Sequence, residues 1–456
     1  MNKKIVLAFF LILVCNYSFH AQTKKWTLEE CVRYAVQNNI SVKQSELDEK
    51  AITIDKKDAK GNFLPTFNAN ASHSWNIGLN QDITTGLLRN QTTQFTSAGA
   101  SVGIDIYKGL QNQNTLRKAR LSIIAAQYQV LKMKEDISLN VANAFLQVLF
   151  NQENLKVQKE QLAINEKQLF RSEELVKAGS IPRGDLLDVK ATVATNNQNV
   201  VTAENALLIS KLSLVQLLQL KDFYDFDVAN DTSVSDKNNI LSRKPTAIYD
   251  KAIENRTELK IAKTNLEIAE KNVAIAKGGF QPNLVGFYNF SSRVSYADGL
   301  SFDSDGKVIG TKGPEPFFNQ FSDNKGQTFG AQLTIPVFNG FSVRNNVARS
   351  KVNLEKSKIA VKQQELDLER NVYTAFTDAK GALKTYESAV TALEAREEAF
   401  RYATERYTVG MMNSFDFNQV QTLLSNAQSE VIRTKYDYIF KIKILEFYFG
   451  IPIIKN

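Results

Sequence analysis

The residues best placed to do chemistry are two aspartates at corresponding points of two similar segments. Asp185 follows Gly179 by six residues, and Asp416 follows Gly410 by six residues. Because glycine can adopt the left-handed conformation that ends a helix, each segment is typical of a turn between two helices. An aspartate just after such a turn either caps the next helix or presents a carboxylate that attracts cations. The residues alone leave both interpretations open.

Few other residues of the chain could support catalysis or bind a metal. The 456-residue chain has 2 histidines and 2 cysteines, from which no His/Cys metal cluster can be assembled. It also lacks a Ser/His/Asp set and a phosphate-binding loop, so we expect no enzyme activity and no cofactor. The formal net charge of +8 is spread over 56 basic and 48 acidic residues, which indicates a solvated mixed-charge surface and no nucleic-acid partner.

The N-terminus is typical of a secretory signal. Lys3 and Lys4 precede an apolar stretch at residues 5–14, which is too short to span a bilayer as a helix. Val14 stands where a lipidation signal needs a small residue, so we expect a cleaved signal peptide at residues 1–22 and no lipid on Cys15. No later segment approaches 18 consecutive apolar residues, which excludes an α-helical inner-membrane transporter and leaves strands as the way to cross a membrane.

Internal similarity indicates that the chain is a duplication. Residues 59–65 recur at residues 276–282, which is 217 positions later, whereas Gly109 recurs as Gly340 after 231 positions. The difference of 14 residues predicts an insertion in the polar stretch 298–324. The predicted organisation is a signal peptide at 1–22, a first repeat at 23–220, a linker or equatorial segment at 221–244, and a second repeat at 245–456.

Each repeat contains a long segment without helix breakers. Residues 110–178 have no glycine or proline, and residues 341–409 have only Gly381, so both are predicted to be long helices of roughly 100 Å. Apolar residues recur every seven positions in these helices and in the segments that follow them, which indicates helical hairpins with tips near 179–185 and 410–416. A coiled-coil spacer would show the same helices.

In the first long helix, a second set of residues spaced seven apart consists mostly of small or polar residues. This set predicts that one side of the hairpin faces water. The apolar set is Val141, Val148, Leu155, Leu162, Leu169 and Val176, and the companion set is Ile137, Ala144, Asn151, Gln158, Asn165 and Ser172.

Alternating residues predict two β-hairpins, at 63–107 and 280–338, with an apolar face and a polar face. The residues of a soluble sheet packed on one side alternate in the same way. Here, however, the apolar stripes of the helices are expected to pack against each other, which leaves little apolar surface to cover a sheet. A sheet in a bilayer must close, and the smallest barrels have about eight strands. Four strands per chain therefore require a dimer with eight strands or a trimer with twelve, and the polar inner face favours the trimer.

Further motifs accompany the duplication. They are Trp26-Thr27-Leu28-Glu29-Glu30-Cys31, the pair Asn38-Asn39, the corner Ile335-Pro336-Val337-Phe338-Asn339-Gly340, and the two glycine–aspartate tips. With these features the sequence resembles the TolC-like outer-membrane efflux protein family over nearly the whole mature chain. The resemblance implies a mainly α fold with a β-barrel portion, in which a homotrimer forms a 12-stranded barrel in outer-membrane lipid and an α-helical tunnel across the periplasm.

The resemblance also implies a function. It implies a passive exit duct for efflux or secretion, driven through a periplasmic adaptor protein by an inner-membrane pump of the RND or ABC type. The cargo leaves no chemical site in the sequence, so drugs, metals and polypeptides all remain open. The alternative function is a structural coiled-coil envelope protein without transport activity.

Site residues at the tips are likewise implied by the resemblance. Tyr407 and Asp416 match family positions near a closed aperture, and Asp185 matches a position that helps to lock it. Two positions depart from the family pattern. The lock arginine is replaced by Met412 and a second aperture acid by Gln419, so a charge lock would have to use Arg183 or Arg406.

Overall fold

The computed structural model describes residues 25–81, 88–221, 223, 225–230 and 240–452. The predicted signal peptide and much of the predicted linker lie outside these residues. Helices make up most of the described chain. In chain order they are α1 (Leu28–Asn38), α2 (Ile40–Gly61), α3 (Gln111–Lys177), α4 (Arg183–Leu218), α5 (Pro245–Asn255), α6 (Thr257–Gly278), α7 (Phe317–Asp323), α8 (Ser342–Thr408) and α9 (Ser414–Phe449), with a 3₁₀ turn at Ile240–Ser242.

The helix boundaries repeat with the two spacings found in the sequence. Helices α1 and α5 have 11 residues each, α2 and α6 have 22 each, and each later helix begins 217 positions after its counterpart. Helices α3 and α8 have 67 residues each, α4 and α9 have 36 each, and both pairs are 231 positions apart. The two copies therefore build the same helical hairpins.

The strands are β1 (Lys25–Trp26), β2 (Thr66–Gln81), β3 (Leu88–Lys108), β4 (Asp227–Val228), β5 (Asn283–Ser295), β6 (Gly299–Phe302), β7 (Val308–Lys312) and β8 (Gly326–Thr334). One antiparallel sheet has the order β2-β3-β5-β8, β1 pairs with β4, and β6 pairs with β7. The polar stretch 298–324 thus contains β6, β7 and α7.

The sheet carries the predicted apolar and polar faces. Across the four strands, Phe67, Val102, Tyr288 and Phe329 are aligned on one face, and Asn68, Ser101, Asn289 and Thr328 on the other. The expected strand around residues 335–337 is absent, because β8 ends at Thr334. Pro336 has no N–H to donate to a ladder, and proline also restricts the residue before it.

The described chain divides into two compact units, and each contains parts of both sequence copies. A helical unit contains the chain up to Asp48, Gln127–Ile261 and the chain from Lys362, and a sheet unit contains Glu49–Ala126 and Ala262–Val361. These units are groups of residues that are close in space, whereas the repeats are segments of the sequence. The repeats remain our prediction for the domain organisation. In the helical unit, an apolar cluster forms where α1 packs between the long helices, with Cys31, Val141, Phe145 and Leu214 all buried.

Part of the heptad prediction is wrong. Asn151, Asn165 and Ser172, expected on a wet flank, are buried within the chain, whereas Leu155, Leu162 and Leu169 are only half-buried. An α-helix drifts about 20° per heptad relative to a strict seven-residue repeat, so the stripe that is buried at Val141 rotates outward along α3. The amide of Asn151 donates to the Ala206 carbonyl on α4 at 3.1 Å.

Helix α4 is the one described helix that could cross a membrane by length and composition alone. Its ion pairs with α3 indicate instead that it is the return arm of a helical hairpin. Lys190 lies 3.2 Å from Glu173, and Glu204 lies 2.8 Å from Lys159.

Candidate functional site at the helical tips

Both helical hairpins turn at the glycines that the sequence singled out. Gly179 has φ +72° and Gly410 has φ +76°, so both residues are in the left-handed region. The N–H of Gly179 donates to Val176 and that of Ser180 to Leu175, and the second tip repeats the pattern from Gly410 to Tyr407 and from Met411 to Arg406. These are Schellman motifs, which pair the last carbonyls of α3 and α8.

The two aspartates lie in the first turns of the return helices. Asp185 is the third residue of α4 and is half-buried, and Asp416 is the third residue of α9 and is exposed. Neither aspartate is the N-cap residue. A carboxylate in the first turn nevertheless interacts favourably with the positive end of the helix dipole.

The caps of the two return helices differ. Asn413 caps α9 by accepting the N–H of Asp416 on Oδ1 at 2.8 Å, and its amide donates to Asp416 Oδ2 at 2.9 Å. The corresponding position before α4 is Pro182, which makes no side-chain capping bond. The sequence pattern pointed to the aspartates but not to Asn413, although Asn followed three residues later by an acid is a recognisable N-terminal signal.

Tyr407 packs against other helices of its own chain. Its hydroxyl accepts a hydrogen bond from Gln168 Nε2 on α3 at 3.2 Å. Its ring stacks on Phe417 of α9, with centroids 4.5 Å apart and planes 15° apart. Tyr407 therefore connects the two hairpins close to their tips.

The positions proposed for a charge lock are separate within the chain. Arg406 donates to the carbonyl of Met411 at 3.5 Å, which helps to close the second turn. Arg183 and Gln419 are exposed, and within the described residues Arg183 forms no ion pair. A lock built from Arg183 or Arg406 thus remains a prediction that would need another copy of the chain.

Buried amides lie between the helices on the approach to the tips. Asn165 and Gln421 are each 1% exposed, and neither side-chain amide has a hydrogen-bond partner in the described chain. Each unsatisfied buried polar group costs about 1–3 kcal/mol, so these two amides lower the stability of the packing around them. The polar heptad set pointed to Asn165, but Gln421 and Gln168 were missed.

A second buried group, also missed, lies away from the tips. Arg256 is 4% exposed, with Glu258 at 2.8 Å and Glu135 at 3.1 Å, and its guanidinium lies 3.9 Å from the Phe447 ring centroid. Burial raises the pKa of Glu135, against the opposing effect of Arg256. Burial also acts to raise the pKa of Glu258, but its hydrogen bonds and ion pair with Arg256 prevail and lower it.

The sheet exposes apolar side chains on its apolar face. Phe67 is 70% exposed and Phe329 is 82% exposed. Among the described strands, the outer edges of β2 and β8 have no pairing partner. Such a surface is a candidate for contact with lipid or with another copy of the chain.

Two helical hairpins of matching lengths and one open four-stranded antiparallel sheet define the structural class of this chain. The sequence matches the outer membrane efflux protein family over residues 32–219 and 248–444. The chain belongs to this family, which confirms the TolC-like resemblance.

Individual relatives agree with this assignment. The outer membrane protein TolC of Vibrio cholerae is 24% identical over 369 residues, covering 76% of this chain and 74% of that protein. TolC of Escherichia coli K12 is 21% identical over 445 residues, covering 96% and 84%. The solved CmeC outer membrane channel of Campylobacter jejuni has a TM-score of 0.74 and 17% identity, with 94% of this chain and 87% of that chain covered, and it shares the fold.

Proposed function

We propose that three copies of this chain form an outer-membrane channel-tunnel that serves as a passive exit duct for efflux or secretion. The observation that carries the proposal is the four-stranded sheet, with an exposed apolar face, a polar face and two unpaired outer edges among the described strands. Open edges are not stable in hydrocarbon, so the edges must pair between copies. Three copies supply twelve strands, which leave a lumen lined by the polar face.

The duplication supports closure of the ring. Within one chain, Gly109 and Gly278 approach so closely that a Cβ on Gly109 would lie 2.2 Å from the Gly278 carbonyl oxygen. Their counterparts in the other copies of the repeat are Gly340 and Gly61, and ideal Cβ atoms there meet nothing within 4 Å. Repeating the internal contact between neighbouring chains would place Gly340 of one copy against Gly61 of the next.

The repeat offsets also predict the register of the new strand pair between neighbouring copies. In the chain, Ser101 of β3 pairs with Asn289 of β5. The duplicated positions are Gln332 of β8 and Ser72 of β2, which we expect to face each other between neighbouring copies on the polar face.

The remaining parts of the proposal follow from the family. The helical hairpins would form a tunnel in the periplasm, reached after removal of the signal peptide, and the tips would dock to a periplasmic adaptor joined to an RND or ABC pump. Asp416 would contribute three carboxylates near the aperture, where they attract cations. The duct would act by offering a passage and would catalyse no reaction.

The test combines cross-linking with conductance. The double variant Ser72→Cys/Gln332→Cys should give disulfide-linked trimers on non-reducing gels, whereas the four-residue shifted control Asn76→Cys/Gln332→Cys should not. The purified native trimer should conduct ions in planar lipid bilayers. A water-soluble monomer that needs no detergent would overturn the proposal, and trimers without conductance would favour the structural spacer.

A further inference from the structure

We propose that the short helix α7 lies in the lipid headgroup region of the outer leaflet, where its exposed phenylalanines contact lipid around the barrel. This inference rests on the proposed function, since it requires the sheet to be in the outer membrane. It concerns a segment with no counterpart among the described residues of the first copy, because α7 belongs to the stretch that separates β5 from β8.

Helix α7 occupies the edge of β5 that β8 leaves free. The pairing of β5 with β8 ends at Ser291 opposite Gly326, although β5 continues to Ser295. Beyond this point Gln320 of α7 replaces the missing strand, because its side chain accepts the Ser295 N–H and donates to the Ser295 carbonyl, both at 3.0 Å. A seven-residue helix is thereby fixed against the sheet by strand-like hydrogen bonds.

Two further contacts fix the orientation of α7. The hydroxyl of Ser292 donates to the carbonyl of Phe321 at 2.7 Å, and Asn324, directly after the helix, donates to the carbonyl of Arg293 at 2.8 Å. Ser292 and Val294 are buried as a result, with 3% and 1% of their surfaces exposed.

These contacts lie on the apolar face of the sheet. Side chains alternate along a strand, so Ser292 and Val294 share a face with Tyr288 and Phe290. Phe290 and Phe321 have ring centroids 6.2 Å apart, which confirms that α7 approaches from this side. The helix therefore extends the surface that the proposed barrel presents to lipid.

The outer side of α7 is aromatic and has no cover in the described chain. Phe318 is 82% exposed and Phe317 is 38% exposed, and the two rings pack edge to face with centroids 5.4 Å apart. Phe329, on the apolar face of the adjacent strand β8, is 82% exposed. The ring of Phe317 also stacks on Phe321, with centroids 6.1 Å apart, and through Phe321 the aromatic side of α7 joins Phe290 on the apolar face of the sheet.

The position of α7 along the strands selects the headgroup region. Helix α6 ends just before β5 begins, and α8 begins just after β8 ends, so α7 lies at the opposite ends of both strands. In the proposed orientation that end faces the cell exterior. Barrels carry rings of aromatic side chains at their interfaces with water, where amphipathic helices also insert their apolar side.

Spin labelling tests the inference directly. Cys31 is buried, so labels would be placed in a Cys31→Ala background at Phe318→Cys, at Leu333→Cys on the apolar face, and at Asp305→Cys in the exposed turn between β6 and β7. The trimer would be reconstituted in phosphatidylcholine–phosphatidylglycerol vesicles. The accessibility of each nitroxide to oxygen and to a water-soluble nickel chelate would then be compared by electron paramagnetic resonance.

The expected result is a label at Phe318 that oxygen reaches more readily than nickel, with a ratio between those of the Leu333 and Asp305 labels. A nickel accessibility equal to that of Asp305 would overturn the inference while leaving the barrel intact. Shielding from both reagents would also overturn it, because the helix would then contact protein. If nickel reaches the Leu333 label freely, the barrel itself is wrong and the proposed function fails with it.

Discussion

The two copies of the repeat use the same backbone but different chemistry at the break between their first two helices. Asn39 ends α1 with φ −60° and ψ 133°, and Arg256 ends α5 with φ −65° and ψ 127°. Both residues are 4% exposed. The first copy thus buries a neutral amide at a position where the second copy buries a positive charge.

The partners differ accordingly. The amide of Asn39 donates to the Leu217 carbonyl near the end of α4 at 3.0 Å, and its oxygen accepts the N–H of Ser41 at 2.9 Å. Arg256 instead binds two carboxylates, and Thr257 beside it donates to Glu135 at 3.1 Å.

The surroundings of Arg256 include open space and an aromatic ring. Next to Arg256 is a cavity of about 390 Å³, lined in part by Lys134, Ser138 and Ile451. The Phe447 ring covers the guanidinium, so that the charge is both paired and held against an aromatic face. The geometry of the helix break is therefore the same at the two positions, while the groups that surround the buried residue differ.

The largest expected effect comes from removing the buried charge. Arg256→Ala should lower the free energy of unfolding by about 3–5 kcal/mol, because Glu135 and Glu258 lose their partner in a buried site. Urea unfolding of the detergent-solubilised protein, followed by far-UV circular dichroism, measures the change.

Arg33→Ala is the matched control, since Arg33 forms an exposed pair with Glu29 and its loss should cost about 0–1 kcal/mol. Equal losses in the two variants would show that Arg256 contributes no more than a surface charge. Asn39→Ala should fall between them at about 1–3 kcal/mol, as expected for a buried hydrogen bond left unmade.

A smaller difference is expected between the two tips. Asn413→Ala should destabilise the start of α9 by about 1 kcal/mol, because the N–H of Asp416 loses its acceptor. Amide hydrogen exchange in residues 414–418 should accelerate accordingly. Pro182→Ala should have no such effect on α4, since Pro182 makes no side-chain cap; similar acceleration at both tips would contradict the assignment of Asn413 as the cap.

The pH dependence should belong to the helix break of the second copy, where Arg256 meets Glu258 and also Glu135, which α3 of the first copy supplies. The pKa of Glu258 is lowered in the folded state, so its contribution is present above its unfolded pKa and is lost as the pH falls through its folded pKa. The pKa of Glu135 is raised, so ionising Glu135 costs stability as the pH rises through this range.

Glu258→Gln should therefore lower stability near pH 7 and reduce the loss of stability on acidification towards pH 4. Urea midpoints measured across that range for the variant, the native protein and Asn39→Ala provide the test. We expect Asn39→Ala to keep the native pH profile. If the stability of Glu258→Gln changes with pH in parallel with that of the native protein, Glu258 does not cause the pH dependence.

The smallest effect is expected at the proposed aperture and leaves the fold unchanged. Asp416→Ala should weaken the block of trimer conductance by divalent cations, because the exposed carboxylates that we place near the proposed aperture are removed. Asp185→Ala is the matched variant, and its half-buried carboxylate should contribute less to the block. Single-channel recording measures both, and an unchanged block in Asp416→Ala would show that this aspartate serves only the first turn of α9.

Most of the local structure was predictable because its signals are local. Breaker-free runs indicated α3 and α8, and alternation indicated the two faces of the sheet. The glycines at 179 and 410 marked the tips, where their left-handed φ values are now observed. The repeat spacing even anticipated helix boundaries, since two copies of one sequence pattern fold alike.

The side chains that meet across the fold were not predictable in the same way. Arg256 and Glu135 are 121 residues apart, and Gln168 and Tyr407 are 239 residues apart. No periodic pattern within one helix specifies which residue of another helix will lie opposite. The burial of Asn165 shows the same limit, because the gradual rotation of the heptad stripe along α3 decides which side faces α4.

The sequence by itself determined the duplication, the helical hairpins, the alternating strands and the family, because each depends on spacing or on similarity along the chain. Only the tertiary structure decided that Gln320 completes the edge of β5 and that Arg256 is buried between two carboxylates. Those contacts arise from packing between distant segments, where the free energy depends on which polar groups lose water together and find partners.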